Sequence, residues 1–439
     1  MSTLEVGSLS VVLIVGLIYA GLYVPIALGV VSFLGIWLIR DDPTLAMNLL
    51  KITISDSVTE YTFATIPLFT FMGIVVSKAG LGSDVYFAMN VLFHRVRGGI
   101  GMATVGANAL FAAVTGSSIA SAAVFTRVSV PEMLRLDYNP RFAVGVVAGS
   151  SVLGMIIPPS AMLIIYSFVA EQSVGHMFLA GIVPGLMLAA AFVIAIALMA
   201  YLRPGFVGGQ PLAALEAGPV PKQGLTALRR TLPVILLIVL VLGGIYGGLF
   251  TPVEAGAVGS AAALVIALFR RKLTGAAFKE TLIETGHITA NILFLITAAS
   301  MYSRMLGFAG LPDEISQLLE NHQFSLFGIM VLYVLLMLFL GTLLDTASII
   351  LIVVPLFLPV IEPMGLSLVW FGIVTVIGAE IGLLTPPLGL SCFTIKATLD
   401  DSRITLKDVF LGSLPFAAII LVVLILLIEF PVLSTVLLP

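Results

Sequence analysis

Long apolar runs, separated by short polar segments, dominate the chain from Leu9 to Phe430. A helix that crosses a bilayer needs about 20 mainly apolar residues, and the runs supply ten predicted spans. These spans are placed at 9–23, 24–39, 62–77, 142–170, 178–202, 232–250, 252–269, 287–306, 368–396 and 408–430. The first two share the stretch Leu9–Ile39, which also fits one long helix.

Two further apolar stretches are interrupted by polar tips, a pattern that favours re-entrant hairpins. They are predicted at 99–128, with TGSS at the tip, and at 325–361, with GTLLDT at the tip. Mixed charged and apolar residues indicate helices that lie along the membrane surface. Such connecting arms are predicted at 45–60, 83–95, 273–284 and 312–322.

Short sequences recur in the same order in the two halves of the chain. IYAGLYVP at 18–25 is matched by IYGGLFTP at 245–252, and GMIIPP at 154–159 by GLLTPP at 382–387. Internal repeats of this kind are a feature of secondary carriers. The predicted fold is therefore an all-α polytopic membrane protein with two inverted repeats, each with about five spans plus a hairpin. The repeats are assigned to residues 1–203 and 232–439, and a cytoplasmic linker to residues 204–231.

Composition and charge agree with a membrane location. The chain is 60% hydrophobic and only 10% charged, against about 25% charged in soluble proteins. With the N-terminus outside, all Lys and Arg residues except Arg40, Lys51 and Arg304 fall in inner loops, as the positive-inside rule requires. Arg304 either extends to the membrane surface or attracts an anionic substrate.

Several classes of chemistry lack their motifs in the sequence. A single cysteine, Cys392, excludes an internal disulfide and a multi-cysteine metal site. The chain has no HExxH pair and no GxxxxGK[ST] loop. We therefore predict no enzyme activity, no organic cofactor and no nucleic-acid partner.

The helical pattern breaks at four places that the spans put at mid-membrane depth, namely Thr115–Ser118, Gly154–Ser160, Gly341–Thr346 and Gly382–Gly389. Non-helical backbone at that depth persists only where protein buries it or where it lines a wet cavity. Two interpretations are open: the Gly and Pro residues only kink packed helices, or the freed carbonyls and hydroxyls bind a cation such as Na⁺. In the second case each hairpin tip faces the broken helix of its own half, and an anionic substrate lies between the two tips.

The predicted hairpin 325–361 and broken helix 368–396 contain one carboxylate each. Asp345 lies in a run where a lone carboxylate costs at least about 2.5–3.5 kcal/mol. It is interpreted either as a cation ligand or proton-sensitive group, or as the cap of a helix beginning at Thr346, and the functional and capping roles are compatible. Glu380 lies in the second broken helix, and the same role as a cation ligand or proton-sensitive group is open to it.

The motifs TGSSIAS at 115–121, GMIIPPS at 154–160, GTLLDT at 341–346 and GLLTPPLG at 382–389 resemble those of one transporter family. It is the large membrane subunit of tripartite ATP-independent periplasmic (TRAP) transporters, and the resemblance covers nearly the whole chain. It implies Na⁺-driven import of an organic acid across the bacterial inner membrane by an elevator motion of hairpins and broken helices against the remaining spans. It also implies a periplasmic substrate-binding protein and a small four-helix membrane subunit, here expected as a separate chain. A stand-alone Na⁺/dicarboxylate symporter that needs no binding protein is the alternative.

The resemblance and the four breaks together give residue-level expectations. The first Na⁺ site is expected at Thr115, Gly116, Ser117, Ser118, Gly154 and Pro158. The second is expected at Gly341, Thr342, Asp345, Thr346, Gly382, Thr385 and Pro386. The substrate is expected at Ser117, Ser118, Ser160, Asp345 and Thr346.

Overall fold

A computed structural model describes residues 2–208, 221–322, 325–399 and 401–438, and these residues form helices joined by short turns. The first half contains α1 Thr3–Tyr19, α2 Val24–Arg40, α3 Pro43–Thr59, α4 Thr65–Lys78, α5 Leu81–Phe93, α6 Gly99–Thr115, α7 Ser118–Arg135, α8 Pro140–Ser151, α9 Leu153–Ile156, α10 Ala161–Val169, α11 Val174–Leu202 and α12 Pro204–Val207. The second half contains α13 Pro221–Tyr246, α14 Pro252–Phe269, α15 Gly275–Ala309, α16 Leu311–Asn321, α17 Leu326–Gly341, α18 Thr346–Ile361, α19 Leu368–Gly382, α20 Leu390–Thr398, α21 Leu406–Glu429 and α22 Val432–Thr435. The predicted all-helical, polytopic class is confirmed.

Six of the described helices are long and apolar enough to cross a membrane, and the bent pair formed by α8–α9 and α10 makes a seventh. The six are α4 with its preceding turn, α11, α13, α14, α15 and α21. Of the ten predicted spans, the remaining three correspond to α1, α2 and the pair α19–α20, which are shorter or more widely interrupted. The stretch Leu9–Ile39 contains two helices, because α1 ends at Tyr19 and α2 begins at Val24.

Three of the four predicted arms are separate helices, α3, α5 and α16. The fourth is not, because 273–284 continues into the following span as the 35-residue helix α15. In the first half the equivalent path is broken after α3. There Glu60 accepts hydrogen bonds from the backbone N–H and the hydroxyl of Thr62, which starts the 3₁₀ turn Tyr61–Ala64. No such cap interrupts α15, so the predicted arm and the span that follows it form one continuous helix.

The predicted linker 204–231 contains parts of two helices. Residues 221–231 form the first turns of α13, and Pro204–Val207 form the short helix α12. The backbone N–H of Asn139 donates to the carbonyl of Val207, which fixes this segment to the start of α8. Residues 209–220 lie outside the described part of the chain.

The helices pack in two groups. In the first group α15 lies along α2 and α4, and α14 lies along α4 and α13. In the second group the hairpin α6–α7 contacts α8, and the hairpin α17–α18 contacts α19. The last long helices of the two halves pack on the broken helices, α21 along α8 and α11 against α19.

Candidate functional site at the hairpin tips

The first hairpin reverses over two residues. Helix α6 ends at Thr115 and α7 begins at Ser118. Gly116 has a φ of 60°, a left-handed conformation that glycine adopts without a Cβ penalty. Ser117 caps α7 by accepting a hydrogen bond from the backbone N–H of Ala120 at 3.3 Å. The TGSS motif is therefore a tight turn that directs the N-terminus of α7 into the protein.

The broken helix of the first half faces this turn. The chain leaves helical geometry after Ile156 and resumes it at Ala161, with the peptide bond between Pro158 and Pro159 in the cis form. Ser160 caps α10 by accepting from the N–H of Leu163 at 3.3 Å, and its hydroxyl donates to the carbonyl of Met155. The Ser160 side chain thus bonds to the backbone both before and after the interruption.

The first tip and the first broken helix touch through glycines. A Cβ atom on Gly116 would lie 2.5 Å from the carbonyl oxygen of Pro159. One on Gly154 would lie 2.7 Å from the carbonyl oxygen of Ser117. The backbones meet directly at these two points, so the carbonyls and hydroxyls of the tip and of the break share one small region.

The second hairpin has a longer turn. Helix α17 ends at Gly341 and α18 begins at Thr346. Asp345 is half-buried and caps α18 by accepting from the N–H of Ser348 at 3.3 Å and from its hydroxyl. The predicted capping role of Asp345 is confirmed, whereas its predicted role as a cation ligand stays a prediction.

The second broken helix also meets its tip through glycines. Helix α19 ends at Gly382, and the bond between Pro386 and Pro387 is cis, as in the first half. A Cβ atom on Gly382 would lie 2.4 Å from the Cα atom of Gly341. The N–H of Leu388 donates to the carbonyl of Thr342 at 3.2 Å. Each tip is therefore seated on the broken helix of its own half.

Thr385 and the exposure of the prolines distinguish the second break from the first. The Thr385 hydroxyl donates to the carbonyl of Gly382 at 2.9 Å, within the break itself. Pro386 and Pro387 are exposed, whereas Pro158 and Pro159 are buried. The two breaks share a cis bond between two prolines but not their surroundings.

Glu380 joins the two tips. Its carboxyl group is fully buried. The Ser118 hydroxyl donates to Oε2 at 2.9 Å, and the Thr346 hydroxyl donates to Oε1 at 2.9 Å. Ser118 and Thr346 are the first residues of α7 and α18, so the positive ends of two helix dipoles point towards one carboxyl group. The candidate site thus gains two hydroxyl contacts to Glu380 that the sequence pattern did not predict.

A cavity of about 790 Å³ reaches the first tip. Thr115, Gly116 and Ser117 line it on the hairpin side, and Gly73 lines it on α4. Of the five residues predicted to bind substrate, only Ser117 is among the lining residues. Ser118, Ser160 and Thr346 are buried, and Asp345 lies at the other tip. The structure therefore does not arrange all five predicted substrate residues around this cavity.

Known structures share this fold. The Alcanivorax borkumensis YdaH transporter matches with a TM-score of 0.64 at 14% identity over 88% of each chain. Neisseria gonorrhoeae MtrF matches with a TM-score of 0.60, also at 14% identity, over 87% of this chain and 83% of its own. At this identity the likeness shows the fold alone, which is that of a polytopic membrane protein.

Sequence comparison gives the family. Residues 11–433 match the profile of the tripartite ATP-independent periplasmic transporter, DctM component. The C4-dicarboxylate TRAP transporter large permease protein DctM of Pseudomonas aeruginosa is 31% identical over 409 residues, 93% of this chain and 92% of its own length. The sialic acid TRAP transporter large permease protein SiaM of Vibrio cholerae is 29% identical over 418 residues, 95% of this chain and 94% of its own length. The chain belongs to the family of TRAP transporter large permease subunits.

Proposed function

We propose that this subunit imports a small organic acid across the bacterial inner membrane, driven by a Na⁺ gradient. A periplasmic binding protein delivers the acid, and a small four-helix membrane subunit accompanies the large one. The two halves are inverted repeats, and the hairpins with their broken helices move as an elevator against α2, α4, α14 and α15. The observation that carries the proposal is the seating of each hairpin tip on the broken helix of its own half.

The chemistry of the tips suits Na⁺ and a carboxylate. Backbone carbonyls and hydroxyls are oxygen ligands of the kind that hard cations take. No cluster of three or more His, Cys, Asp or Glu side chains occurs among the described residues, which disfavours a transition-metal ion. The half-helix N-termini at Ser118 and Thr346 favour negative charge. The relatives named for C4-dicarboxylate and sialic acid support an organic acid as the substrate class.

Ion pairs agree with the proposed topology, in which the two members of each pair lie on the same side of the membrane. Lys78 Nζ lies 3.0 Å from Glu280, and both residues fall in segments that the positive-inside pattern puts at the cytoplasm. Arg304 lies 2.9 Å from Asp56, and both fall in outer segments. Lys78 also lines the cavity that reaches the first tip. On this orientation the cavity opens towards the cytoplasm, where an imported substrate is released.

The test is uptake into proteoliposomes that contain the chain and its small subunit, with an imposed Na⁺ gradient. A thermal-shift screen of the periplasmic binding protein that works with this chain identifies the organic acid to be used. We expect uptake only when Na⁺ and the loaded binding protein are both present. A matched K⁺ gradient is the control for the membrane potential.

Each alternative predicts a different pattern. Uptake with Na⁺ but without the binding protein identifies a stand-alone symporter. Uptake that is unchanged when K⁺ replaces Na⁺ would show that Na⁺ is not the coupling ion. Accessibility of single cysteines introduced near Lys78 and near Arg304 tests the orientation, because the proposal puts them on opposite sides of the membrane.

A further inference from the structure

The Glu380 carboxyl group is the meeting point of the two halves of the chain. Its Oε2 atom accepts from Ser118 of the first hairpin, 262 residues away, and its Oε1 atom accepts from Thr346 of the second hairpin. Both bonds are 2.9 Å long, and all three side chains are buried. Because each donor is the first residue of its helix, a displacement of either tip must stretch or break one of these bonds.

Helix packing alone does not account for this residue. In the first half the position two residues before GMIIPP is Val152, whereas Glu380 holds the equivalent position before GLLTPP. The first broken helix therefore forms with an apolar side chain at this place, and Val152 is also buried. A buried carboxyl group is costly unless hydrogen bonds satisfy it. No ion pair involving Glu380 is found in the described part of the chain, so the two tip hydroxyls satisfy it.

We propose that Glu380 is a positioning residue that couples the two hairpin tips. It holds the N-termini of α7 and α18 on one carboxyl group, so that ordering one tip favours the ordered form of the other. The role rests on the proposed Na⁺ transport, because coupled tips make the two cation sites fill together before the elevator moves. A carrier with independent tips would move while only one site was filled.

The inference predicts an effect across the hairpins that a purely local role does not produce. Removing the Thr346 hydroxyl should loosen the first tip, although Thr346 belongs to the second. Coupling free energies between sites typically correspond to factors of about 5–150. Amide hydrogen exchange measures such local opening directly. In the complex of the chain with its small subunit, in choline buffer, we expect Thr346→Val to speed exchange at residues 115–121 about fivefold or more.

Three matched variants make the experiment specific. Thr346→Ser keeps the hydroxyl, and we expect it to restore slow exchange at the first tip. Thr375→Val removes another buried hydrogen bond from the Glu380 helix, the 2.7 Å contact with the Tyr333 hydroxyl, and should leave the first tip unchanged. Ser118→Ala gives the reciprocal measurement and should speed exchange at residues 341–348. Faster exchange throughout α14 would reveal that Thr346→Val unfolds the protein. In that case Ser118→Ala provides the test in its place.

The outcomes separate this inference from the proposed function. Faster exchange at the distant tip in choline buffer, reversed by Thr346→Ser, supports the coupling role. Faster exchange confined to the substituted tip overturns it. Protection of both tips when Na⁺ replaces choline in the unsubstituted chain tests the Na⁺ proposal separately, and its absence would count against Na⁺ without changing the comparison made in choline.

Discussion

The backbones of Gly341 and Gly382 are in direct contact where the second hairpin tip rests on the second broken helix. A Cβ atom on either residue would lie within 2.7 Å of the Cα atom of the other. Gly341 is the last residue of α17 and Gly382 the last residue of α19. Two helix ends therefore meet with no side chain between them, next to the carbonyls and hydroxyls of the predicted second cation site.

Alanine at position 382 should separate this tip from its broken helix. The added methyl group overlaps backbone atoms, which cannot move aside as a flexible side chain can, and overpacking of this kind costs about 1–3 kcal/mol. We expect Gly382→Ala to reduce Na⁺-driven uptake in proteoliposomes by at least about tenfold. The half-saturating Na⁺ concentration should rise at the same time.

Gly378→Ala is the matched control for Gly382→Ala, one turn earlier on the same helix. The nearest atoms to a Cβ there belong to the side chains of Leu424 and Met337, at 3.8 Å, an ordinary contact distance. Alanine is also favoured over glycine inside a helix by about 0.5–1 kcal/mol. We expect uptake close to that of the unsubstituted chain. Equal loss in both variants would show that the effect is not specific to the contact with Gly341.

The motifs around the breaks predicted where the helices end because proline and glycine act locally. Proline has no backbone N–H and clashes with the preceding turn of a helix. The doublet Pro158–Pro159 therefore marks an interruption from sequence alone, and the structure places it between Ile156 and Ala161. The cap at Asp345 was also predictable from local sequence, since a carboxylate that precedes a helical apolar run accepts from the first free N–H groups.

The role of Glu380 was not predictable, because its partners lie far away in the sequence. Ser118 is 262 residues from Glu380. The spacing of apolar residues along α19 does not predict which side of that helix packs against α7. The only available signal was an acidic residue in an apolar run. The continuity of α15 was missed for a related reason. Charged residues in 273–284 resemble a surface arm, but charge by itself does not end a helix that lacks a cap or a proline.

Gly73 provides a prediction for the contact between the two helix groups. A Cβ atom there would lie 2.7 Å from the carbonyl oxygen of Thr115, so α4 touches the backbone of the first tip. Gly73→Ala should push the tip away from α4, and we expect uptake to fall by about tenfold. Gly286→Ala on α15 is the control, because among the described residues no atom outside its own stretch of helix lies within 4 Å of its Cβ position. Unchanged uptake with Gly73→Ala would mean that this contact is not needed during transport.

A substitution at Arg304 tests whether this arginine only extends to the membrane surface or attracts the anionic substrate. Its guanidinium lies 2.9 Å from Asp56 of α3, and both side chains are partly exposed. An exposed pair contributes about 0–1 kcal/mol, so Arg304→Gln should change the melting temperature and the uptake rate only slightly. If Arg304 instead attracts the substrate anion, the substrate concentration for half-maximal uptake should rise in Arg304→Gln and remain unchanged in Asp56→Asn.

Substitutions at Asp345 separate its role as a helix cap from the effect of its negative charge. Asparagine caps helices about as well as aspartate, whereas alanine at an N-cap costs about 1 kcal/mol. Asp345→Asn should therefore keep the bond from the Ser348 N–H and the thermal stability of the protein, while it removes the negative charge. If the carboxylate binds a cation, Asp345→Asn and Asp345→Ala should both abolish Na⁺-driven uptake, and both proteins should still insert and fold. Uptake and Na⁺-dependent thermal shifts, measured on the same preparations, test this. Normal uptake by Asp345→Asn together with reduced uptake by Asp345→Ala would limit the residue to its capping role, and the second cation would then have to be bound by carbonyls and hydroxyls alone.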